Sequence, residues 1–304
     1  MSKGRIGVVG SNMIDLVTYT DRMPAPGETI EAPDFLLGFG GKGANQAIAA
    51  ARLGSAVTVV TCVGDDMFGQ QQIRNFKDNG IDSSHVHVIA NTSSGVAPIF
   101  VEPSGENSIL IIKGANAALS PDHVDEAAPA LAQCDAILMQ LEVPLEVNYH
   151  TIAWAAGRGI TTILNPAPAS TELDVKKLAG LSFFCPNETE LATLTGMPTK
   201  TDEDIIKAAR HLIGQGIGQV VVTLGGRGAR LVTADEVEEI APVKVTPVDT
   251  TGAGDAFIGS FAHFLASGMD AKAALRQAAR YAACSITRRG TQSSYLTAEE
   301  FAAL

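Results

Sequence analysis

Apolar residues fall along this chain in short continuous runs, separated by longer stretches that carry a single apolar face. The runs Ile6–Val9, Val57–Cys62, Ala136–Met139, Thr161–Leu164, Phe183–Cys185 and Gln219–Thr223 read as strands covered on both faces. Between them, Ala44–Leu53, Gln70–Asn79, Pro121–Ala132, Leu145–Ala156, Glu188–Leu194 and Glu203–Ile213 read as helices. Continuous apolar strands alternating with helices predict a mostly parallel sheet with helices on both faces, a Rossmann-like α/β fold. Ligands in such sheets bind at the carboxyl ends of the strands. The last third is helical: Ala256–Ala266, Ala271–Thr287 and a short Ala298–Ala303 tail.

Two regions break this alternation. Residues 16–37 and 95–113 carry extended-looking runs without helices, among them Gly95–Val101 and Ser108–Lys113, joined by the turn-like Pro103-Ser104-Gly105-Glu106-Asn107. They predict a small separate β-sheet that closes as a lid over a substrate, or else an insertion or dimer surface; these readings are compatible. No repeat or linker divides the chain, so residues 1–304 are expected to form one domain carrying these two lid segments.

Composition narrows the chemistry. Hydrophobic residues make up 46% and charged residues 18%, enough for a sizeable core. A net charge of −11 argues against nucleic acid or an anionic membrane as partner. It leaves ATP open, because local N–H clusters bind phosphate whatever the net charge. Cys62, Cys134, Cys185 and Cys284 are widely spaced, form no CxxC, and read as thiols of a reducing compartment. His85, His87, His123, His150, His211 and His263 show no metal spacing, His85-x-His87 on a strand-like segment coming nearest, and read as surface or structural. The first residues lead straight into a strand, and no apolar run is long enough to span a membrane, so a cytoplasmic location is expected.

The run Thr250-Thr251-Gly252-Ala253-Gly254-Asp255-Ala256-Phe257 sits where an apolar helix begins. A helix start offers unpaired N–H groups and the positive end of the dipole, and glycine lets an anion come close. A carboxylate at that spot suits a base that takes a proton from a substrate hydroxyl while the amides hold a transferring phosphoryl group. Earlier, Gly38-Phe39-Gly40-Gly41-Lys42-Gly43-Ala44-Asn45-Gln46 formally satisfies G-x-G-x-x-G at positions 38, 40 and 43. Its place after lid-like sequence, its lysine and its asparagine suit polyol hydroxyls better than a dinucleotide. Asp15 follows the first strand and is placed to accept hydroxyls, unless it is a solvated loop acid or a helix cap. Asn187, in Pro186-Asn187-Glu188-Thr189-Glu190, reads as a helix cap or as part of a Mg²⁺–phosphate region with Glu190. Thr223-Leu224-Gly225-Gly226-Arg227-Gly228 reads as a hairpin turn or as a clasp on a nucleotide.

Taken together, Gly38 to Asn45 and Asp249 to Phe257 resemble, over essentially the whole chain, the ribokinase branch of the PfkB-type carbohydrate kinases. The resemblance implies ATP-dependent phosphorylation of a sugar hydroxyl and a β-sheet lid often shared across a homodimer. It implies Asp255 as base, with Gly252, Ala253 and Gly254 as anion hole. Asp15, Gly41, Lys42, Asn45 and Glu142 would hold the sugar. Asn187, Thr223, Gly225, Gly226, Arg227 and Gly228 would lie along the nucleotide, with Gly254, and Glu190 would stand near Mg²⁺ without touching it. A monovalent-cation site, with potassium as the implied activator, would draw on Asp249, Thr251, Ser285, Arg288, Gly290 and Ser294, mostly through backbone carbonyls.

One position departs from the family pattern. Ribokinases typically carry Asn two residues before the sugar-binding Asp, and here that place is Met13. Replacing an amide by a thioether suits a sugar lacking one hydroxyl, so the expected substrate is 2-deoxy-D-ribose, phosphorylated on its 5-hydroxyl, ahead of D-ribose. A hydroxyl served by water would leave the change neutral. A nucleoside kinase, an NAD-dependent oxidoreductase and a non-catalytic sugar-binding protein are the remoter alternatives.

Overall fold

A computed structural model describes residues 4–103 and 106–304. In chain order its elements are β1 (Arg5–Val9), β2 (Met13–Tyr19), β3 (Asp34–Gly40), α1 (Lys42–Arg52), β4 (Ala56–Gly64), α2 (Met67–Asp78), β5 (Asp82–Ile89), β6 (Val96–Val101) and β7 (Asn107–Ile109). They continue with α3 (Pro121–Leu131), β8 (Ala136–Gln140), α4 (Leu145–Ala156), β9 (Thr161–Asn165), β10 (Phe183–Phe184), α5 (Glu188–Thr195), α6 (Asp202–Ile213) and β11 (Gln219–Thr223). The chain ends with β12 (Ala229–Val232), β13 (Val237–Ile240), α7 (Ala253–Ala266), α8 (Ala271–Ser285) and α9 (Ala298–Ala302).

Among the described residues the main sheet has nine strands in the order β13-β12-β11-β10-β9-β8-β1-β4-β5. From β11 to β5 neighbouring strands run parallel; β12 and β13 add an antiparallel edge. Side chains alternate between two cores, as the period of a strand requires. Ile6, Val8, Leu138 and Val221 face α1, α7 and α8, packing with Ile48, Phe257, Phe261 and Leu275. Val9, Ile137, Met139 and Val222 face the other way, toward Val124, Ile152, Leu191 and Leu212 on α3 to α6. α1 and α7 approach closely, because a Cβ on Gly259 would lie 2.4 Å from the Gln46 carbonyl oxygen.

The second sheet has the order β3-β2-β6-β7. It begins at Met13 rather than at residue 16, so Asp15 is neither a solvated loop acid nor a helix cap but a strand residue paired with Gly38 and Ala97. Of the run Ser108–Lys113, only Ser108 and Ile109 belong to a strand, and Ile112 makes a single bridge to Val96. Ser104 and Gly105 of the expected turn lie outside the described residues. β5 confirms the strand-like character of the segment around His85 and His87 and extends it to Asp82–Ile89; its polar Asp-Ser-Ser-His start is that of an edge strand that keeps one face toward water. No described helix is long and apolar enough to cross a membrane. Cys62, Cys134 and Cys185 are buried free thiols, and Cys284 is half-buried.

Candidate active site

The functional residues gather where the parallel strands end and α1 and α7 begin. Gly252 caps α7 with φ 75°, in the left-handed region. A Cβ there would lie 2.5 Å from Thr291 Cγ2 and 2.8 Å from the Tyr295 hydroxyl, which donates to the Gly252 carbonyl at 3.0 Å. Burial, with Asp255 and Tyr281 close by, holds the Tyr295 phenol well above its ordinary value, so it stays protonated as a donor. Of the expected anion-hole amides, that of Ala253 is turned to the Thr250 carbonyl at 3.2 Å. The amides of Gly252, Gly254 and Asp255 have no partner among the described residues. A Cβ on Gly254 would meet nothing within 4 Å, so this helix start borders open space of the kind an anion needs.

Asp255 stands in the first turn of α7, only 6% exposed. Its Oδ2 accepts from Asn45 Nδ2 at 2.9 Å and its Oδ1 from Gln46 Nε2 at 3.0 Å. Each amide is itself fixed. Gln292 Nε2 donates to Asn45 Oδ1 at 2.9 Å, and Gln140 Nε2 donates to Gln46 Oε1 at 2.7 Å. Gln46 also reaches Asn165 Oδ1, at the end of β9, at 3.2 Å. A chain of oriented amides thus presents only N–H groups to the carboxylate. Gln46, Gln140 and Gln292 were not anticipated. Gln46 stands beside Asn45 in the glycine-rich motif, which was a usable signal; Gln140 and Gln292 have none, being 94 and 247 residues from the amides they hold.

Asp15, Lys42, Glu142 and Glu190 surround Asp255. Burial, then the nearby Glu142 and Asp255, raises the Asp15 carboxyl to about 7. Asp255, ahead of Glu142 and Glu190, holds the Lys42 amine above its ordinary value against the effect of burial. Burial raises the Glu142 carboxyl despite the opposing pull of Lys42. Glu142 Oε2 accepts the Ser11 hydroxyl and, at 2.8 Å, the Lys42 amide. That oxygen therefore holds the loop after β1 against the start of α1, a task in addition to the sugar contact expected of Glu142. Gly41 caps α1 and packs against the backbone of Asn12 and Met13. Met13 is 2% exposed and lies on the same side of β2 as Asp15.

The opposite side is built differently. Asn187 and Thr223 form a bridge where β10 and β11 end. Asn187 Oδ1 accepts the Glu190 amide, and Glu190 Oε2 accepts the Asn187 amide, both at 2.8 Å. The helix-cap reading of Asn187 therefore holds, and the same box turns Glu190 toward Lys42, with burial raising its carboxyl. Gly225–Arg227 form a short 3-10 turn between β11 and β12, so the hairpin reading holds as well. A Cβ on Gly225 or Gly226 would meet nothing within 4 Å, whereas one on Gly228 would strike the Ile240 carbonyl. Arg227 turns away to Glu188 and Asp202.

The segments before and behind Gly252 are also joined. Asp249 accepts the Thr251 amide on Oδ1 and the Gly290 amide on Oδ2, each at 2.9 Å. These bonds outweigh burial and lower its carboxyl. The Ile286 carbonyl takes the Val248 and Asp249 amides, placing neighbouring Ser285 beside this turn. Ser294 Oγ donates to Thr291, and the Arg288 guanidinium pairs with Glu300, leaving only its backbone for the turn. No cluster of three or more His, Cys, Asp or Glu among the described residues would hold a metal.

A carboxylate aimed by amides, beside an open helix start at the carboxyl end of a parallel sheet, defines a phosphotransferase acting on a small hydroxyl compound. Comparison with known proteins makes the class specific. The chain belongs to the pfkB family carbohydrate kinases, which it matches over residues 3–298. It is 52% identical over 296 residues to a deoxyribokinase of Salmonella typhi, covering 97% of each chain. It is 39% identical over 292 residues to a ribokinase of Mus musculus, covering 95% of this chain and 90% of the other. A solved structure of Arabidopsis thaliana ribokinase complexed with ribose and ATP superposes with a TM-score of 0.92 at 31% identity, covering 99% of this chain and 98% of that one.

Proposed function

We propose that this kinase transfers the γ-phosphoryl group of ATP to the 5-hydroxyl of 2-deoxy-D-ribose. The observation that carries the reaction is Asp255, buried and aimed by two amides in the first turn of a helix whose Gly252 and Gly254 amides are unpartnered. Asp255 orients the hydroxyl and takes its proton. The amides at the start of α7 stabilise charge on the equatorial oxygens as the phosphoryl group passes in line, and Lys42 adds positive charge beside them. Asp15, Asn45 and Glu142 bind the sugar hydroxyls. Asn187, Thr223 and Gly225 to Gly228 flank the nucleotide. Glu190 would stand near Mg²⁺ through intervening water, and the ion would supply neutralisation of the phosphates. Potassium would sit at the Asp249 turn, whose carboxylate binds the Thr251 and Gly290 amides and so joins the segments on either side of Gly252. The small sheet is the lid, and its exposed Phe35, Leu36, Leu37, Ile109 and Leu110 suit a homodimer of a cytoplasmic enzyme. If so, Leu36→Lys would turn a sedimenting dimer into monomer; a wild-type monomer would contradict this.

The choice of sugar rests on Met13 and on the Salmonella relative. A site built to bond a hydroxyl rejects its absence by ~10⁴–10⁵, whereas an apolar pocket rejects an added hydroxyl by only ~10². D-ribose is therefore expected as a poor substrate rather than none. The test is kcat/KM for both sugars, with Mg²⁺ and with or without potassium, in wild type and Met13→Asn. A wild-type preference for ribose, or an unchanged ratio in the variant, would remove Met13 as the specificity residue; potassium-independent rates would remove the cation.

A further inference from the structure

Four short segments carry the chain between the two sheets, around Asn12, Gly41, Gly95 and Lys113. Three of them meet at one side chain. Asn116 is fully buried. Its Oδ1 accepts the Asn12 amide at 3.0 Å, and its Nδ2 donates to the carbonyls of Asn12 at 2.7 Å and Lys113 at 3.0 Å. A Cβ on Gly95 would lie 2.3 Å from that same nitrogen, so the third segment passes directly against it. Bonding both the N–H and the C=O of Asn12, the Asn116 amide does what a neighbouring strand would do, at a place where β2 has left the main sheet. Asn12 is tied in turn to β4: its Nδ2 donates to Thr61 Oγ1 at 2.7 Å and to the Cys62 carbonyl at 2.9 Å. Three residues further along the extended chain stands Asp15.

We propose that Asn116 is a positioning residue for sugar binding: by fixing Asn12 against both the returning segment and the main sheet, it sets where β2 holds Asp15 over Asp255. This rests on the reading of Asp15 as a sugar ligand. Asn116 touches neither substrate. Removing its side-chain amide leaves the Asn12 N–H and carbonyl without their partner and frees the root of β2, although the Lys113 carbonyl keeps the Asn116 backbone amide at 3.0 Å; the nucleotide side, on β10 and β11, is expected to be untouched.

The test is steady-state kinetics of Asn116→Ala, Asn116→Asp and Asp15→Asn, using the better of 2-deoxy-D-ribose and D-ribose, with melting temperatures alongside. Losing buried hydrogen bonds of this kind predicts a sugar KM raised roughly tenfold in Asn116→Ala, with the ATP KM held within about twofold. Asn116→Asp keeps the acceptor for the Asn12 amide but sets an oxygen against two carbonyls, so its sugar KM rises further. A lowered melting temperature with an unchanged sugar KM is what a purely structural residue gives, and it overturns the proposal. A sugar KM raised in Asp15→Asn but not in the Asn116 variants overturns it alone; an unchanged KM in Asp15→Asn overturns the Asp15 assignment and the proposal with it. Should Asn116→Ala not fold, Asn116→Ser is read the same way.

Discussion

The two sides of the site solve binding by different means. On the proposed sugar side, Asp15, Lys42, Asn45, Glu142 and Asp255 are buried or half-buried, with Asp255 aimed by the Asn45 and Gln46 amides and Glu142 held on the Lys42 backbone. On the proposed nucleotide side, Asn187 and Gly225 to Arg227 are exposed, and open space lies beside Gly225 and Gly226. Charged side chains in a low-dielectric setting discriminate strongly, because an unmatched partner leaves a buried group without a bond. Backbone and glycine grip any phosphate chain and care little about neighbouring side chains. Specificity for the acceptor should therefore be sensitive to single substitutions, and nucleotide binding should not.

The largest expected break comes at Asp255. Asp255→Asn should lower kcat by ~10²–10⁴, the usual worth of a positioned base, with ATP affinity little changed. Near-normal turnover would take Asp255 out of the mechanism and make the anion hole alone responsible.

Asp15 gives a smaller, pH-dependent effect. Its folded value of about 7 lies above the ordinary 3.8. Such an acid stabilises the fold at low pH and loses that contribution as pH rises through the folded value. The melting temperature of wild type should thus fall relative to Asp15→Asn as pH climbs from about 4 to about 8. Parallel curves across that range would show that neither burial nor the neighbouring carboxylates raise Asp15.

The smallest effect is expected at Gly226. Its Cβ position is open and its backbone lies outside the left-handed region, so Gly226→Ala should shift the ATP KM by no more than about threefold and leave the sugar KM alone. A large rise would mean that the nucleotide packs directly on this turn and that the contrast between the sides is weaker than drawn here.

How much of this was legible follows the same division. Buried parallel strands announce themselves as continuous apolar runs, and α4 and β11 fall where the pattern puts them. Asn45 and Asp255 were legible because their motifs combine glycine, a helix start and a polar side chain in a few residues. β5 was legible only around His85 and His87, because an edge strand tolerates histidine and serine on its wet face and its start carries no apolar run. The start of β2 was set too late, since after the break Gly10-Ser11-Asn12 only the two apolar residues Met13 and Ile14 precede the charged Asp15, too short a run to announce a strand. Gln140, Gln292 and Asn116 acquire their tasks only from contacts that span roughly a hundred residues or more, and a lone amide carries no mark of its distant partner.

The crowding of Asp15, Glu142, Glu190 and Asp255 around Lys42 bears on how the catalytic cycle ends. The incoming sugar is neutral and meets these acids as a set of hydroxyl donors. It leaves carrying a phosphate dianion that has just been set down beside Asp255. On the proposed reading, those of the carboxylates that are ionised repel the product's phosphate, so the sugar phosphate should inhibit only at concentrations well above the sugar KM, and tight product inhibition would contradict this. A pocket lined in this way would let go of what it makes more readily than it takes up a copy from solution, keeping the site free as sugar phosphate accumulates around it.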